Sequence, residues 1–148
     1  MMKTIETLRE HFRINDIHAF ESSDGPSFMA HYRLQGGQEV NVFINLEEGG
    51  DFLTIRIGDL FKLPSSHPQY IAVIQALFGL ATNFRFVKVV LDPEDSEVFV
   101  CGQAWVAEDA LTDRNLYVML DAVLSCATEV FECIGKALQE ANPLRKAC

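Results

Sequence analysis

The chain has 148 residues, 49% of them hydrophobic, and its 12 basic and 21 acidic side chains give a formal net charge of -9. That length suits one domain, large enough to bury roughly two-thirds of the surface its unfolded chain exposes. The charge repels phosphate backbones and anionic membrane surfaces, which argues against nucleic acid and membranes as partners.

The first element is a short amphipathic helix over Thr4 to Arg13, with Thr4 as its cap and Ile5, Leu8 and Phe12 on one face. From Ile17 to Phe61 the apolar period changes to two, the strand signature. Ile17 to Phe20 forms a weak first strand, and Ser22 to Pro26 a turn. Phe28, Ala30, Tyr32 and Leu34 then alternate with more polar residues, as do Val40, Val42, Ile44 and Leu46. Gln35-Gly36-Gly37-Gln38 joins these two runs as a hairpin, glycine supplying the positive φ that tight turns need. Glu48-Gly49-Gly50-Asp51 is a second such turn, before a strand over Phe52 to Ile57 with Leu53, Ile55 and Ile57 inward. This predicts an antiparallel meander with one wet face.

Leu60 to Leu91 contains Lys62, Arg85 and Lys88 but no Asp or Glu. Within it, His67 to Phe84 reads as a helix with Pro68 in its first turn and apolar residues nearly all round. It is too short, and too interrupted by Gln69, Gln75 and Asn83, to span a bilayer. A helix apolar on every side must be buried on every side. One side is expected on the sheet and the other on a second copy of the chain, with Ile71, Ile74, Leu77, Phe78, Val87 and Val89 at the dimer interface.

Phe84 to Leu91 and Glu97 to Val106 form the last hairpin, turned by Asp92-Pro93-Glu94-Asp95. Apolar residues stand on both faces of these strands, the pattern of a strand covered twice. The final element is a long helix from Leu111 to Asn142, capped at Thr112 and stopped by Asn142-Pro143. Leu116, Leu120, Val123, Ala127, Val130, Phe131, Ile134 and Leu138 fall at three-and-four spacing on one side of it, and Met119, Cys126 and Cys133 widen the stripe. So wide an apolar face predicts that this helix lies across the sheet. The expected class is α+β, a twisted antiparallel sheet with helices in the order α-β-β-β-α-β-β-α, as one domain over residues 1–148.

That order resembles the YbjN-like family of bacterial sensory transduction regulators, whose fold is that of type III secretion chaperones. The resemblance is carried by Asn83-Phe84 opening the hairpin, the Leu91-Asp92-Pro93-Glu94-Asp95 turn, Val98 to Gln103, and Glu108-Asp109 leading into Leu111-Thr112 and the helix. These are packing and turn residues, which speak for fold more than for activity. The resemblance implies a small, acidic homodimer that holds an extended segment of a partner protein across its surface without ATP.

Chemistry is scarce. His11, His18, His31 and His67 have no ligand partner at helical spacing, so no metal site is expected. Glu47-Glu48 and Asp92, Glu94 and Asp95 sit in turns, where acids are usually solvated. The four cysteines lack paired C-x-x-C spacing, and Cys126 and Cys133 stand two helical turns apart, about 10 Å, too far for a disulfide. They read as reduced thiols of a soluble, cytoplasmic protein, in keeping with an N-terminus that lacks a signal-peptide core. No phosphate loop, no nucleophile in a known setting and no cofactor motif is present. The leading expectation is a non-enzymatic binding module, chaperone-like or a regulatory adaptor, using Phe43, Phe99 and Trp105 to meet its partner. The competing one is a small-ligand sensor, or an enzyme whose pocket is assembled from scattered residues.

Overall fold

A computed structural model describes residues 2–107 and 110–140. The elements run α1 (Met2–Ile14), β1 (Ala19–Glu21), β2 (Ser27–Arg33), β3 (Glu39–Glu47), β4 (Phe52–Lys62), α2 (Tyr70–Ala81), β5 (Val87–Leu91), β6 (Glu97–Trp105) and α3 (Asp113–Glu140). The six strands make one antiparallel sheet in the order β1-β2-β3-β4-β6-β5. The weak Ile17 to Phe20 run contributes a three-residue strand shifted to Ala19–Glu21, so four strands precede α2.

Alternation on the strands decides which face is covered. Phe28 and Ala30, Val42 and Ile44, Ile55 and Ile57, and Val98 and Val100 are all buried. They are cross-strand neighbours on one side, as in Phe28↔Ile44↔Ile55 and Val42↔Ile57↔Val100. On this inner face α3 lays Leu116, Leu120, Val123, Ala127, Val130 and Ile134, all buried. Thr112 caps α3 as its sequence predicts, its Oγ1 accepting the N–H of Asn115 at 3.1 Å. The Asn142-Pro143 stop lies outside the described residues.

The first helix begins before Thr4, which is therefore not its cap but a buried residue of its first turns, on one stripe with Leu8, His11 and Phe12. This stripe packs α1 on the inner face at the β1–β2 end, with the rings of Phe12 and Phe28 5.7 Å apart. His11 is a satisfied core residue, its Nδ1 3.2 Å from Asp113 Oδ1 at the start of α3.

β4 runs on to Lys62, five residues beyond the strand expected from period two. Between the pairs Ile57↔Val100 and Phe61↔Val98 the register shifts, so Gly58, Asp59 and Leu60 stand opposite Phe99 alone. The buried carboxylate of Glu97 stabilises this bulge, Oε1 accepting the N–H of Asp59 at 2.7 Å. Asp59 has a φ of 56° there. On the far side of β6, Phe86 lays its ring where a side chain at Gly102 would stand, and Phe86 itself has a φ of 71°.

Candidate functional site

All three helices contribute to the core cluster on the inner face. The double-sided apolar pattern of β5 and β6 does not reflect double coverage: Phe99 and Val90 lie on the outer face and stay half-buried, with no described helix over them. The outer face is polar at one end, where His31 meets Asn41 and Arg33 pairs with Glu39. Elsewhere it is mixed, with aromatic residues on either side of a polar row made by Ser27, Asn45, Thr54 and Gln103. Phe43 is 41% exposed and Trp105, the one tryptophan of the chain, is 69% exposed. Trp105 leans on Phe52, its cross-strand partner, with ring centroids 4.9 Å apart.

One row of partners crosses all six strands: Phe20, Met29, Phe43, Arg56, Cys101 and Lys88. Phe20, Met29 and Phe43 border an open hollow of about 290 Å³ at the β1–β3 end. Arg56 marks the change from apolar to cationic. Its guanidinium carbon sits 3.9 Å from the centroid of the Phe99 ring, and Nη2 stands 3.5 Å from Glu97 Oε1. That second contact is long, because the same oxygen already accepts the Asp59 N–H at 2.7 Å. Burial pushes the Cys101 thiol up, against the pull of Lys88 and Arg56, so a neutral group lies between the two cations.

The three partner-binding residues expected from sequence thus share the outer face: Phe43 and Trp105 in the open, Phe99 half-buried beneath Arg56. Sequence reasoning left out Arg56, Phe20 and Phe52. A lone arginine in a strand looks like an ordinary solvated residue, and only the fold brings Phe99 and Glu97 to it from about forty residues away.

The residues expected at a dimer interface gather at the other end of the molecule, where α2 packs beside β5 on one flank of α3. Ile74, Leu77, Phe78, Ala81, Val89 and Leu91 line a hollow of about 230 Å³ between helix and strand. Ile71 and Phe78 face away from the core, 64% and 72% exposed. Leu77 and Val87 are buried in it, Val87 on the inner face opposite Gly102. In sheet order β5 is the last strand, so its outer edge is unpaired among the described residues.

Other groups do not converge. Among the described residues no three or more His, Cys, Asp or Glu stand together as a metal-binding set. Cys101, Cys126 and Cys133 are free, and burial, with a smaller push from Glu129, takes the Cys126 thiol up to about 12. Asp121, Glu129 and Glu132 line a polar groove beside Arg33. No described helix is long and apolar enough to cross a membrane.

No family model matches the chain, and no curated protein sequence does either. Solved structures share its fold. YbjN of E. coli, described as a candidate transcription regulator, superposes with a TM-score of 0.63 at 15% sequence identity, over 89% of this chain and 92% of that one. A chain in the structure of the HopA1–SchA chaperone–effector complex gives a TM-score of 0.57 at 12% identity, over 89% of this chain and 98% of that one. The fold is therefore α+β, YbjN-like and type III secretion chaperone-like.

Proposed function

We propose that the protein is a non-enzymatic adaptor, chaperone-like or regulatory, that works as a homodimer and holds an extended segment of a partner protein on its outer sheet face. The observation that carries this reading is the exposure of Phe43 and Trp105 on a sheet face no described helix covers. Exposed aromatic rings gathered on one face and bordered by polar residues are a usual mark of a protein-binding site. The fold neighbours lean the same way, since one is a chaperone bound to an effector and the other is described as a regulator. The small-ligand reading has two candidates, the polar groove of about 370 Å³ beside Arg33 and the apolar α2–β5 hollow. At about 230 Å³, that hollow falls below the range of roughly 300–1,000 Å³ usual for ligand pockets, and it presents no convergent polar groups.

The second copy is assigned to the α2–β5 end. Ile71 and Phe78 supply exposed apolar area there, and the absence of any acid from Leu60 to Leu91 removes local like-charge repulsion between subunits of net charge -9. A self-complementary contact through α2 leaves the outer sheet faces of both copies open.

Trp105 is a built-in reporter. Titration with a permanently unfolded, tryptophan-free polypeptide is expected to shift its emission to the blue and to saturate. An emission maximum that stays at the wavelength of a hydrated indole throughout the titration rejects segment capture on this face.

A further inference from the structure

We infer that the segment held on the outer face carries an acidic side chain next to a pair of apolar ones, its carboxylate meeting Arg56 while the apolar pair covers Phe43, Met29 and Phe20. This rests on the capture reading above and gives its partner a chemistry.

Charge complementarity supports it first. The chain has 12 basic and 21 acidic residues, yet the outer-facing paired strand positions carry Arg33, Arg56, Lys62 and Lys88 against Glu39, Glu47 and Glu97, with Asp59 exposed in the unpaired bulge. Arg33 and Glu39 pair at 3.1 Å at the polar end. Glu97 keeps its charge beside Arg56 while one of its oxygens bonds the bulge, so the middle of the face carries two cations, Arg56 and Lys88, against one buried carboxylate. Lys88, the next charged member of the row, adds to the same field, and the neutral Cys101 thiol between them does not cancel it.

The geometry of Arg56 supports it again. A guanidinium presents five N–H donors in a planar fork. Among the described residues the only acceptor Arg56 meets is Glu97 Oε1, at 3.5 Å. Phe99 covers one face of the fork, which favours this orientation before any partner arrives. A carboxylate reaching a pre-oriented, partly dried guanidinium forms a charge-assisted, two-point contact at little ordering cost.

The row also sets a spacing. Strands lie about 4.8 Å apart, so Phe20 and Arg56, three strands from each other, are separated by roughly 14 Å, the rise of about four residues of extended chain. Alternate side chains of an extended segment face one way. A segment laid across the strands therefore places two apolar side chains at alternate positions and the acid two residues beyond them, in either chain direction.

The test is selection of peptides from a random 12-residue display library on the purified protein, followed by affinity measurement on synthetic copies. Selected peptides are expected to share an Asp or Glu two residues from an alternating apolar pair. Changing that acid to its amide should weaken binding to the native protein roughly tenfold, and should change nothing on Arg56→Leu. Peptides that lose affinity with Phe43→Ser, but are acid-free or basic, overturn the carboxylate while leaving segment capture standing. Binders indifferent to both Phe43→Ser and Trp105→Ser, or no enrichment at all, overturn both. Should Arg56→Leu misfold, the acid-to-amide comparison on the unaltered protein still decides: an unchanged affinity refutes the contact.

Discussion

Glu97 accepts the backbone N–H of Asp59 at 2.7 Å across the widest irregularity of the sheet. Glu97→Ala leaves a part-buried N–H without its acceptor and is expected to cost about 2 kcal/mol of stability, read by urea denaturation. Glu97→Gln keeps an acceptor oxygen and should cost less. A Glu97→Ala protein within 0.5 kcal/mol of the parent, roughly the noise of a surface change, would remove the carboxylate from its place as the support of the bulge.

Ile134 sits towards the C-terminal end of the buried stripe by which α3 covers the sheet. Ile134→Asp buries a charge with no partner and is expected to cost roughly 4 kcal/mol or more, abolishing a cooperative thermal transition followed by circular dichroism. Tyr117→Asp, on the exposed side of the same helix, should melt within a few degrees of the parent.

A homodimer is expected to give a mass by light scattering of twice 16.6 kDa. Because Phe78 and Ile71 are exposed in the subunit, Phe78→Glu combined with Ile71→Glu should halve that mass and leave the far-ultraviolet spectrum unchanged. A parent that already scatters as 16.6 kDa at micromolar concentration refutes the α2 interface.

Thr54 is 8% exposed, and its hydroxyl has no hydrogen-bond partner among the described residues. Thr54→Val replaces that hydroxyl with a methyl of similar shape in a strand that favours branching, and should raise stability by about 1 kcal/mol. A loss of stability would show that the hydroxyl is satisfied in solution.

Burial pushes Tyr32 and Cys126 from ordinary values of 10.0 and 9.0 up to about 12. Both groups ionise to anions, so a raised folded-state value favours the neutral form in the native state. The stability they contribute is complete below pH 9 and is lost as pH climbs from 9 towards 12. Tyr32→Phe removes one of the two titrations and should flatten the decline above pH 10. At neutral pH it should cost little, since the Tyr32 hydroxyl has no partner among the described residues. An unaltered alkaline slope would exclude Tyr32 as a source.

Elements with one buried face were legible in the sequence. The period of two in β2 and β3 and the three-and-four spacing of α3 each report a single apolar surface, and the inner core follows from them. The end of β4 was not legible, because Gly58-Asp59 has the composition of a turn and the group that keeps it in the sheet, Glu97, is distant in sequence. The hairpin β5–β6 misled in the opposite sense. Its double-sided apolar pattern suggests two coverings, whereas one face packs on the core and the other is open. Phe43 and Trp105 were recognisable as candidates from their size and position, but Arg56 was not. Its orientation depends on the Phe99 ring and on an acid already occupied elsewhere, relationships that no local pattern encodes.

The ring of Phe86 occupies the space above Gly102 so closely that even a methyl group at 102 would collide with it. These two positions are therefore not free to drift separately over generations. A lineage that acquires a side chain at 102 must swing the ring at 86 aside or shed it, and one that shrinks residue 86 opens a gap that a larger residue at 102 can fill. Among sequences that retain this fold, the two sites should change in step, with a missing side chain at one and a ring at the other as one stable combination.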